Sequence, residues 1–499
     1  MRIFDVPKSF LPCAVVAVVL AACATQPYAP ASGDLPTVPA AWTEAPDAAP
    51  VAGGERLAYW WRHFGDAELS ALVDLALERN NDVRSARAAL RQARAQRAVS
   101  AAGLQPTLDF AGSAQRARTD SQPADNQFQV GVDAAWEVDL AGGQRAGLAA
   151  AEADLLASAA SLDDTRVSIA AEVALAYIDL RGNQQRLAVA RANLANQEET
   201  LQITRWREQA GLVTQLEVEQ ARTSVEQTRS SLSSLESAVA QTLNSLAVLC
   251  AQTPGDLRAR LLDASGGALA AMPRPADTLA VSLPADTLRQ RPDVRAAGLR
   301  VEAARARVDE AQAARYPSLR LTGSLGLSAL TLGALDSAGV ASSLLASVGL
   351  PLFDGGARAA QVEVRDAALE QTYHAYGAAV LTALGEIESA LTALRTSRDS
   401  LASLTLAAGA AANADELAGQ RYASGLVDFQ VVLDTQRTRL NAEDAVASAA
   451  AQLAANHVQL YKALGGGWSP QATLESMPEF TPAAASVPLT ATAAPSSAP

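Results

Sequence analysis

Few side chains in this 499-residue chain have the type and spacing that catalysis requires. The three histidines, His63, His374 and His457, lie far apart and lack the spacing of metal ligands. The sequence contains no Gly-x-Ser-x-Gly motif, no phosphate-binding loop and no cysteine paired with a histidine. We therefore predict that the chain is not an enzyme, holds no metal or cofactor, and cannot hydrolyse ATP.

Polar residues cluster instead beside two glycine turns, Ala210-Gly211-Leu212 and Ser424-Gly425-Leu426. Glu217 and Glu219 follow the first turn, and the second is flanked by Tyr422, Asp428, Asp434, Gln436 and Arg437. Asp434 and Arg437 are three residues apart, close enough on a helix for a salt bridge within or between chains. An exposed pair contributes only roughly 0–1 kcal/mol, which suits a latch that a partner must open. The alternative is that these are solvated charges at helix ends.

The turns join helices with an unusually long heptad pattern. Apolar residues recur every seven positions, with one four-residue step, at Leu148, Leu155, Leu162, Ile169, Val173, Leu180, Leu187, Leu194 and Leu201. Such heptads predict coiled-coil packing. The segments Gly143–Gly211 and Gly356–Gly425 each span about 68 residues, or on the order of 100 Å of helix. Helices of that length cannot form one compact core, so we expect a rod or a tube.

Four segments alternate apolar and polar residues and predict strands near 106–118, 128–140, 317–328 and 343–353. Each is long enough to cross a membrane when tilted. The polar positions, which would face a lumen, include Asp109, Gln129, Asp133, Glu137, Arg320 and Ser324. Membrane barrels need at least about eight strands, so the chain must oligomerise. Two copies would supply about eight strands and three about 12, and the pattern does not choose between them. A soluble sheet with one wet face is the alternative.

The two halves repeat one plan of helix, strand, strand, very long helix and helix. Pro106 matches Pro317, and Gly142-Gly143 matches Gly355-Gly356. The predicted organisation is a signal peptide (1–22), a lipidated tether (23–54), a first repeat (55–253), an equatorial segment (254–290), a second repeat (291–468) and a disordered tail (469–499).

The composition indicates which classes of macromolecule the chain can bind. The net charge of −13 argues against a nucleic-acid partner, which would favour a basic surface. Outside the first 25 residues no apolar run reaches the roughly 18 residues of a spanning helix. Of the three cysteines, Cys13 lies in the leader, and Cys250 is expected to be a small buried hydrophobe.

The N-terminus reads as an export signal, with Arg2 and Lys8 before an apolar stretch. The tetrapeptide Leu20-Ala21-Ala22-Cys23 resembles the bacterial lipobox. That resemblance implies cleavage before Cys23, covalent lipid such as palmitate on Cys23, and an outer-membrane location because Ala24 follows rather than Asp. An ordinary cleavage site with an incidental cysteine is the alternative.

Several motifs in order along the chain resemble one family. They are WWRHFGDAELSALVDLALERNNDVRSA (60–86), LPADTLRQRPDVRAA (283–297), ARYPSL (314–319), LPLFDGG (350–356) and RYASGLVDFQVVLDTQR (421–437). The resemblance is to the TolC-like outer membrane factor family, and within it to the NodT-type efflux lipoproteins. It implies a mainly α homotrimer with one 12-stranded membrane β-barrel and a periplasmic α-helical coiled-coil tunnel.

The same resemblance implies a passive exit channel of a tripartite efflux pump that carries small molecules such as drugs. Its partners would be a periplasmic adaptor, an inner-membrane transporter of the RND type and outer-membrane lipid. The matching tyrosine, aspartate and arginine constrict the closed periplasmic tip of the family, which favours Tyr422, Asp434 and Arg437 as gate residues. The alternatives are a duct for type I protein secretion and a coiled-coil lipoprotein without a pore.

Overall fold

The computed structural model describes residues 38–39, 41–43, 57–119, 122–263, 271–274, 284–335 and 338–468. The predicted signal peptide, the lipidation site at Cys23, most of the tether and the tail lie outside these residues.

The described elements follow the plan that the sequence predicts. The first half contains α1 (Ala67–Arg79), α2 (Asn81–Ala102), β1 (Thr107–Thr119), β2 (Gln122–Val138), α3 (Gly143–Gln209) and α4 (Gln215–Leu249). Short helices follow, α5 (Pro254–Arg258), a π-helical turn (Ala259–Asp263) and α6 (Pro284–Gln290). The second half contains α7 (Pro292–Ala313), β3 (Ser318–Ala329), β4 (Val340–Gly349), α8 (Ala357–Ala423) and α9 (Phe429–Ala463).

Local sequence sets where these helices begin. The side chains of Asp66 and Asn80 accept hydrogen bonds from the first free amides of α1 and α2, as N-cap residues do. Proline occupies the first turn of α7, where its missing N–H costs nothing. The long helices α3 and α8 each follow a glycine at positive φ, Gly142 at 81° and Gly356 at 88°, a conformation that glycine adopts without strain.

The four strands form one antiparallel sheet in the order β1-β2-β3-β4. Its register keeps the two faces separate. Opposite residues share a face, so Val132 lies between Phe110 and Leu325, whereas Asp133 lies between Asp109 and Ser324. The predicted apolar and polar faces therefore continue across the sheet, except in β4, where Ser342 lies opposite Leu325 and Leu345 lies opposite Thr322.

Two strands differ clearly from the prediction, β2 at its start and β4 at both ends. β2 begins at Gln122, six residues before the expected start, because backbone pairing with β1 continues through polar residues. β4 begins at Val340 and ends at Gly349, so Leu350 to Phe353 lie beyond it. Pro351 has no N–H to donate to a neighbouring strand, which favours an early end.

The helices form a layer organised around α3. Near the sheet, α3 lies between α2 and α7, and α8 packs against the other side of α7. Farther along, α3 packs against α4 and α9, and α8 packs against α9. The heptad positions of the long helices face these contacts and are buried, among them Leu162, Ile169, Val173, Leu180, Val380, Ile387 and Leu394. At 67 residues each, α3 and α8 span about 100 Å.

The densest core lies midway along the layer. Trp60 and Trp61 are buried there, and the Trp60 ring stacks on Tyr461 with 5.2 Å between centroids. These aromatics fill the core. Leu257 and Leu261, from the segment between the halves, complete the same cluster.

Part of the expected tether is packed rather than extended. Trp42 is 1% exposed and lies among residues of α8 and α9, including Ile387, Leu394 and Leu460. The Thr43 amide donates a hydrogen bond to Glu388, at 2.8 Å. The apolar indole explains the difference, since its burial removes a large surface from water.

One helix is long and apolar enough to cross a membrane by length and composition alone. Within the described residues, α8 contains an 18-residue window with a mean hydropathy of 1.3, and 28% of that window is buried within the chain. Polar residues interrupt this window, so the expectation that no continuous apolar run reaches that length still holds.

Cys250 is buried, as expected, and its thiol lies 3.8 Å from the Leu72 carbonyl oxygen. Burial raises the pKa of the Cys250 thiol to about 11. Because the thiolate is the reactive form, this cysteine is chemically inert in the folded chain.

Gly182 lets α3 approach α9 closely. A Cβ atom built at Gly182 would lie 2.8 Å from the Ala451 Cβ, closer than two carbon atoms tolerate. Two glycines of α8, Gly385 and Gly409, have no described atom within 4 Å of the equivalent Cβ position. Close packing thus offsets the helix-propensity cost at Gly182 within the chain.

We predict that Gly182→Ala lowers the free energy of unfolding, because the added methyl group overlaps Ala451. The double variant Gly182→Ala/Ala451→Gly should recover most of the loss. The measurement is thermal and urea unfolding of the detergent-purified protein followed by circular dichroism.

Gly409→Ala is the matched control. It adds the same methyl group on an exposed helix, where alanine is favoured by about 1 kcal/mol over glycine. Equal loss in the Gly182 and Gly409 variants, or no recovery in the double variant, would contradict the packing argument.

Candidate functional site

The two glycine turns lie at the end of the helical layer farthest from the sheet. At each turn the helix ends in paired backbone hydrogen bonds, Gly211 to Glu208 and Leu212 to Arg207, then Gly425 to Tyr422 and Leu426 to Arg421. Gly211 and Gly425 have φ of 71° and 74°, which completes a Schellman cap. This cap turns Leu212 and Leu426 outward, where they are 70% and 74% exposed.

Tyr422 packs inside the tip rather than outward. Its ring lies 5.3 Å from the Phe429 ring, and the Arg207 guanidinium carbon lies 4.6 Å from its centroid. The Tyr422 hydroxyl is buried and has no hydrogen-bond partner in the described chain. Tyr422 therefore joins the end of α8 to α3 by ring contacts.

Asp434 and Arg437 form the predicted salt bridge within the chain. Arg437 Nη2 lies 3.0 Å from Asp434 Oδ1, and both side chains are more than half exposed. Gln430 donates a further hydrogen bond to the same Asp434 oxygen, at 3.2 Å. The three residues lie on the exposed face of α9, so the structure does not place them beside Tyr422.

Gln436 belongs to the opposite, inward face of α9. Its Nε2 donates to Thr200 Oγ1 of α3 at 3.1 Å, while its Oε1 is buried without a partner in the described chain. The predicted residues that belong to α9 therefore lie on two different faces of that helix, with Asp434 and Arg437 on one and Gln436 on the other.

The remaining predicted residues lie at helix starts. Asp428 is the N-cap residue of α9, but its side chain makes no capping hydrogen bond. Glu217 is in the first turn of α4, where a negative charge favours the helix dipole. Glu219 is paired with Arg222 at 3.9 Å, and both are exposed.

Sequence reasoning missed the strongest ionic contacts near the tip. Arg439 of α9 lies 3.2 Å from Asp415 of α8 and 2.8 Å from Glu443. Glu443 accepts a hydrogen bond from Asn193 of α3 at 3.1 Å. Hydrogen bonding to Glu443 raises the pKa of the Arg439 guanidinium above its ordinary value, against desolvation. The four-residue spacing of Arg439 and Glu443 was visible in the sequence, whereas Asp415 and Asn193 required the fold.

A second ionic contact also joins α3 to α9. Arg186 of α3 binds Asp444 of α9 through two hydrogen bonds of 2.7 and 3.1 Å. Two parallel bonds of this kind fix the relative position of both side chains.

The buried face of α3 changes character along its length. Its middle part buries mostly apolar residues such as Val173, Ile178 and Leu180, whereas the part nearer the tip buries Asn193, Gln197 and Thr204 as well as Leu201, which belongs to an apolar cluster with α4 and α9. The Gln197 Oε1 is also buried without a partner in the described chain. Polar surfaces are less costly to hydrate than apolar ones, so these buried amides and hydroxyls hold α3 to its neighbours less strongly than the apolar middle does.

Among the described residues no group of three or more His, Cys, Asp or Glu side chains could hold a metal ion.

The architecture is that of a known family. The family model described as "Outer membrane efflux protein" matches residues 72–252 and 283–466, once over each half. The chain belongs to this family. It is 32% identical over 467 residues to the outer membrane protein OprJ of Pseudomonas aeruginosa, covering 91% of this chain and 95% of OprJ. It is 31% identical over 481 residues to the toluene efflux pump outer membrane protein TtgC of Pseudomonas putida, covering 93% and 96% of the two chains.

A solved structure of the family shares the fold. The outer-membrane channel OprN superposes with a TM-score of 0.79 at 32% identity, covering 88% of this chain and 99% of OprN. The mainly α fold with a duplicated helix-strand-strand-helix-helix plan is thereby confirmed.

We predict that Arg439→Ala lowers the free energy of unfolding by about 2–3 kcal/mol, because two partly buried carboxylates lose a charged hydrogen-bond donor. Arg437→Ala on the same helix should cost less than about 1 kcal/mol, since its partner is exposed to water. Urea unfolding of both variants in detergent measures the difference. Equal losses would show that the inward network does not hold the tip together.

Proposed function

We propose that three copies of this chain form a passive outer-membrane channel of a tripartite efflux pump. The observation that carries the proposal is the four-stranded sheet, which has a mostly apolar face and a free edge at each side. Membership of the outer membrane efflux protein family supports the proposal.

The unpaired edges of the sheet are the reason that the channel needs several copies of the chain. Backbone groups in hydrocarbon must all be hydrogen-bonded, so a membrane sheet must close on itself. Within each copy β1 and β4 run in opposite directions, so β4 of one copy can pair antiparallel with β1 of the next. Three copies give 12 strands, the number that the family resemblance implies, and the polar face then lines the lumen.

The helices extend this lumen away from the membrane. The sheet's turns lie at one end, and α3 and α8 leave from the other for about 100 Å. That length places the tips with Leu212 and Leu426 deep in the periplasm. Their exposed leucines would bind a periplasmic adaptor by removing apolar surface from water.

We assign the gate to the tip residues. The exposed pair Asp434–Arg437 is the latch between neighbouring chains, because its weak intrachain bond is easily exchanged. Tyr422 and Gln436 hold α8 and α9 against α3, and Glu217, Glu219 and Asp428 supply charge beside the turns. Opening separates the polar tip interface while the apolar middle of α3 stays packed.

The channel performs no catalytic step and needs no cofactor. Energy comes from an inner-membrane transporter of the RND type, which an adaptor joins to the tip. The names of the relatives favour small molecules as cargo, since TtgC is described as part of a toluene efflux pump.

Covalent lipid on Cys23 anchors the chain to the outer membrane. The 19 residues from Cys23 to Trp42 can span up to about 65 Å when extended, which is ample to connect the membrane to the buried indole. Signal cleavage before Cys23 and the division into two repeats around residues 254–290 belong to the same proposal.

The proposal predicts a detergent-stable trimer that forms a pore in planar bilayers and restores drug efflux to a deletion strain. Arg437→Ala should raise the conductance of the resting channel several-fold, because the latch is lost. Arg222→Ala, which removes another exposed cation from the same tip, is the matched control.

A stable monomer without pore currents would refute the channel. A trimer that conducts but exports a protein substrate instead of small molecules would favour the secretion duct. Unchanged resting conductance in Arg437→Ala would refute the gate assignment alone.

Thiol counting tests the lipid anchor. The folded mature protein should show no reactive thiol, because Cys250 is buried and Cys23 carries lipid. In denaturant one thiol should react, and Cys250→Ser should abolish it. Two reactive thiols in denaturant would contradict lipidation of Cys23.

A further inference from the structure

The apolar face of the sheet ends in two arginines at the end of β1 farthest from the helices. Along this strand that face carries apolar or small residues from Leu108 to Ala114, and Arg116 is the next residue on it. Arg118 follows where the register with β2 shifts, and both arginines are exposed. The opposite face of β1 has no basic residue, its members being Thr107, Asp109, Ala111, Ser113, Gln115 and Ala117. The two cations therefore belong to the apolar face and lie at one end of it.

The apolar side chains of this face are open to solvent in the single chain. Leu108 is 73% exposed, Phe110 76% and Leu325 55%. In the proposed channel they contact the hydrocarbon of the membrane, where a charged guanidinium is costly. The two arginines must therefore lie beyond the hydrocarbon, at the level of the lipid headgroups.

Two aromatic residues of β2 mark the boundaries of the hydrocarbon, since aromatic rings favour both interfaces of a membrane. Trp136 lies near the helices, where its Nε1 donates a hydrogen bond to the Leu104 carbonyl oxygen at 3.1 Å. Phe128 lies eight residues away on the same face. Eight residues of strand span about 27 Å, or about 20 Å in height when tilted, close to the roughly 25 Å apolar band of membrane barrels. Phe128 is opposite Ala114, so Arg116 is two residues past the outer boundary.

The neighbouring strand offers Arg116 no charged partner at this position. Its opposite residue on β2 is the neutral Asn126. An arginine at such a boundary packs its aliphatic stem along apolar neighbours and extends its guanidinium toward the headgroups. There the planar guanidinium can donate two parallel hydrogen bonds to one phosphate group.

We propose that Arg116 and Arg118 bind the phosphate groups of a phosphorylated lipid in the outer leaflet. The adjoining apolar face binds the acyl chains of the same molecule, so the ligand is a lipid rather than free phosphate. The acidic residues Asp109 and Asp133, which would repel it, face each other on the polar side of the sheet. This site rests on the proposed channel and specifies the chemistry of the lipid beside it.

Native mass spectrometry of the full-length, detergent-purified trimer tests the site, with bisphosphorylated lipid A as the probe. Arg116→Gln/Arg118→Gln should weaken binding about 30-fold, as expected for two basic residues beside an anionic lipid. Arg116→Lys/Arg118→Lys keeps both charges and should recover part of the affinity. Arg320→Gln is the matched control and should bind the probe as the wild type does, because Arg320 lies on the polar face, opposite Glu137.

The wild-type protein tests the same site without any mutation. Dephosphorylated lipid A keeps its acyl chains and should bind about as weakly as bisphosphorylated lipid A binds the glutamine variant. Inorganic phosphate at the same concentration should not displace lipid A, because it has no acyl chains. Equal binding of the two lipids, or displacement by inorganic phosphate, would contradict a site for lipid phosphate.

Planar-bilayer conductance separates this proposal from the channel itself. Glutamine variants that form conducting trimers and still bind lipid A as the wild type does would overturn the lipid site while the channel stands. A wild-type chain that is monomeric and electrically silent would instead refute the channel on which the site depends.

Discussion

Hydrogen bonding along the edges of the sheet is the constraint on which this structure depends. A four-stranded sheet has one edge on β1 and another on β4, and lipid offers no partner to either. In the proposed channel, closure by further copies satisfies those groups, and it also fixes which way the apolar face points.

The helices extend from the sheet away from the membrane. α3 packs against α2 and α4 of the first half and against α7 and α9 of the second, so it acts as the central element of the protomer. Its buried middle is apolar and well packed, with Gly182 allowing α9 to approach closely. Its tip half buries amides and hydroxyls. In the proposed gate, the same helix combines a stable centre with an end that opens at lower cost.

Two kinds of ionic contact occur near the tip, one partly buried and one exposed. Arg439 is held by partners on α8 and α9 in partly buried positions, whereas Arg437 meets Asp434 in water. Burial makes the first contact costly to break, and solvent makes the second easy to exchange. The proposed gate uses both, since each pair of long helices must remain intact while neighbouring chains move apart.

Periodicity in the sequence alone determined the elements of this protein. Heptads predicted α3 and α8, alternation predicted the four strands, and the glycine pairs marked the junctions, because these signals are local. The sequence also indicated the salt bridge between Asp434 and Arg437, which lie on one helix. Only the tertiary structure showed that Tyr422 and Arg437 face different sides, that Arg439 binds Asp415, and that Trp42 is buried. Those contacts join residues distant in the chain, and no local pattern encodes which helix faces them.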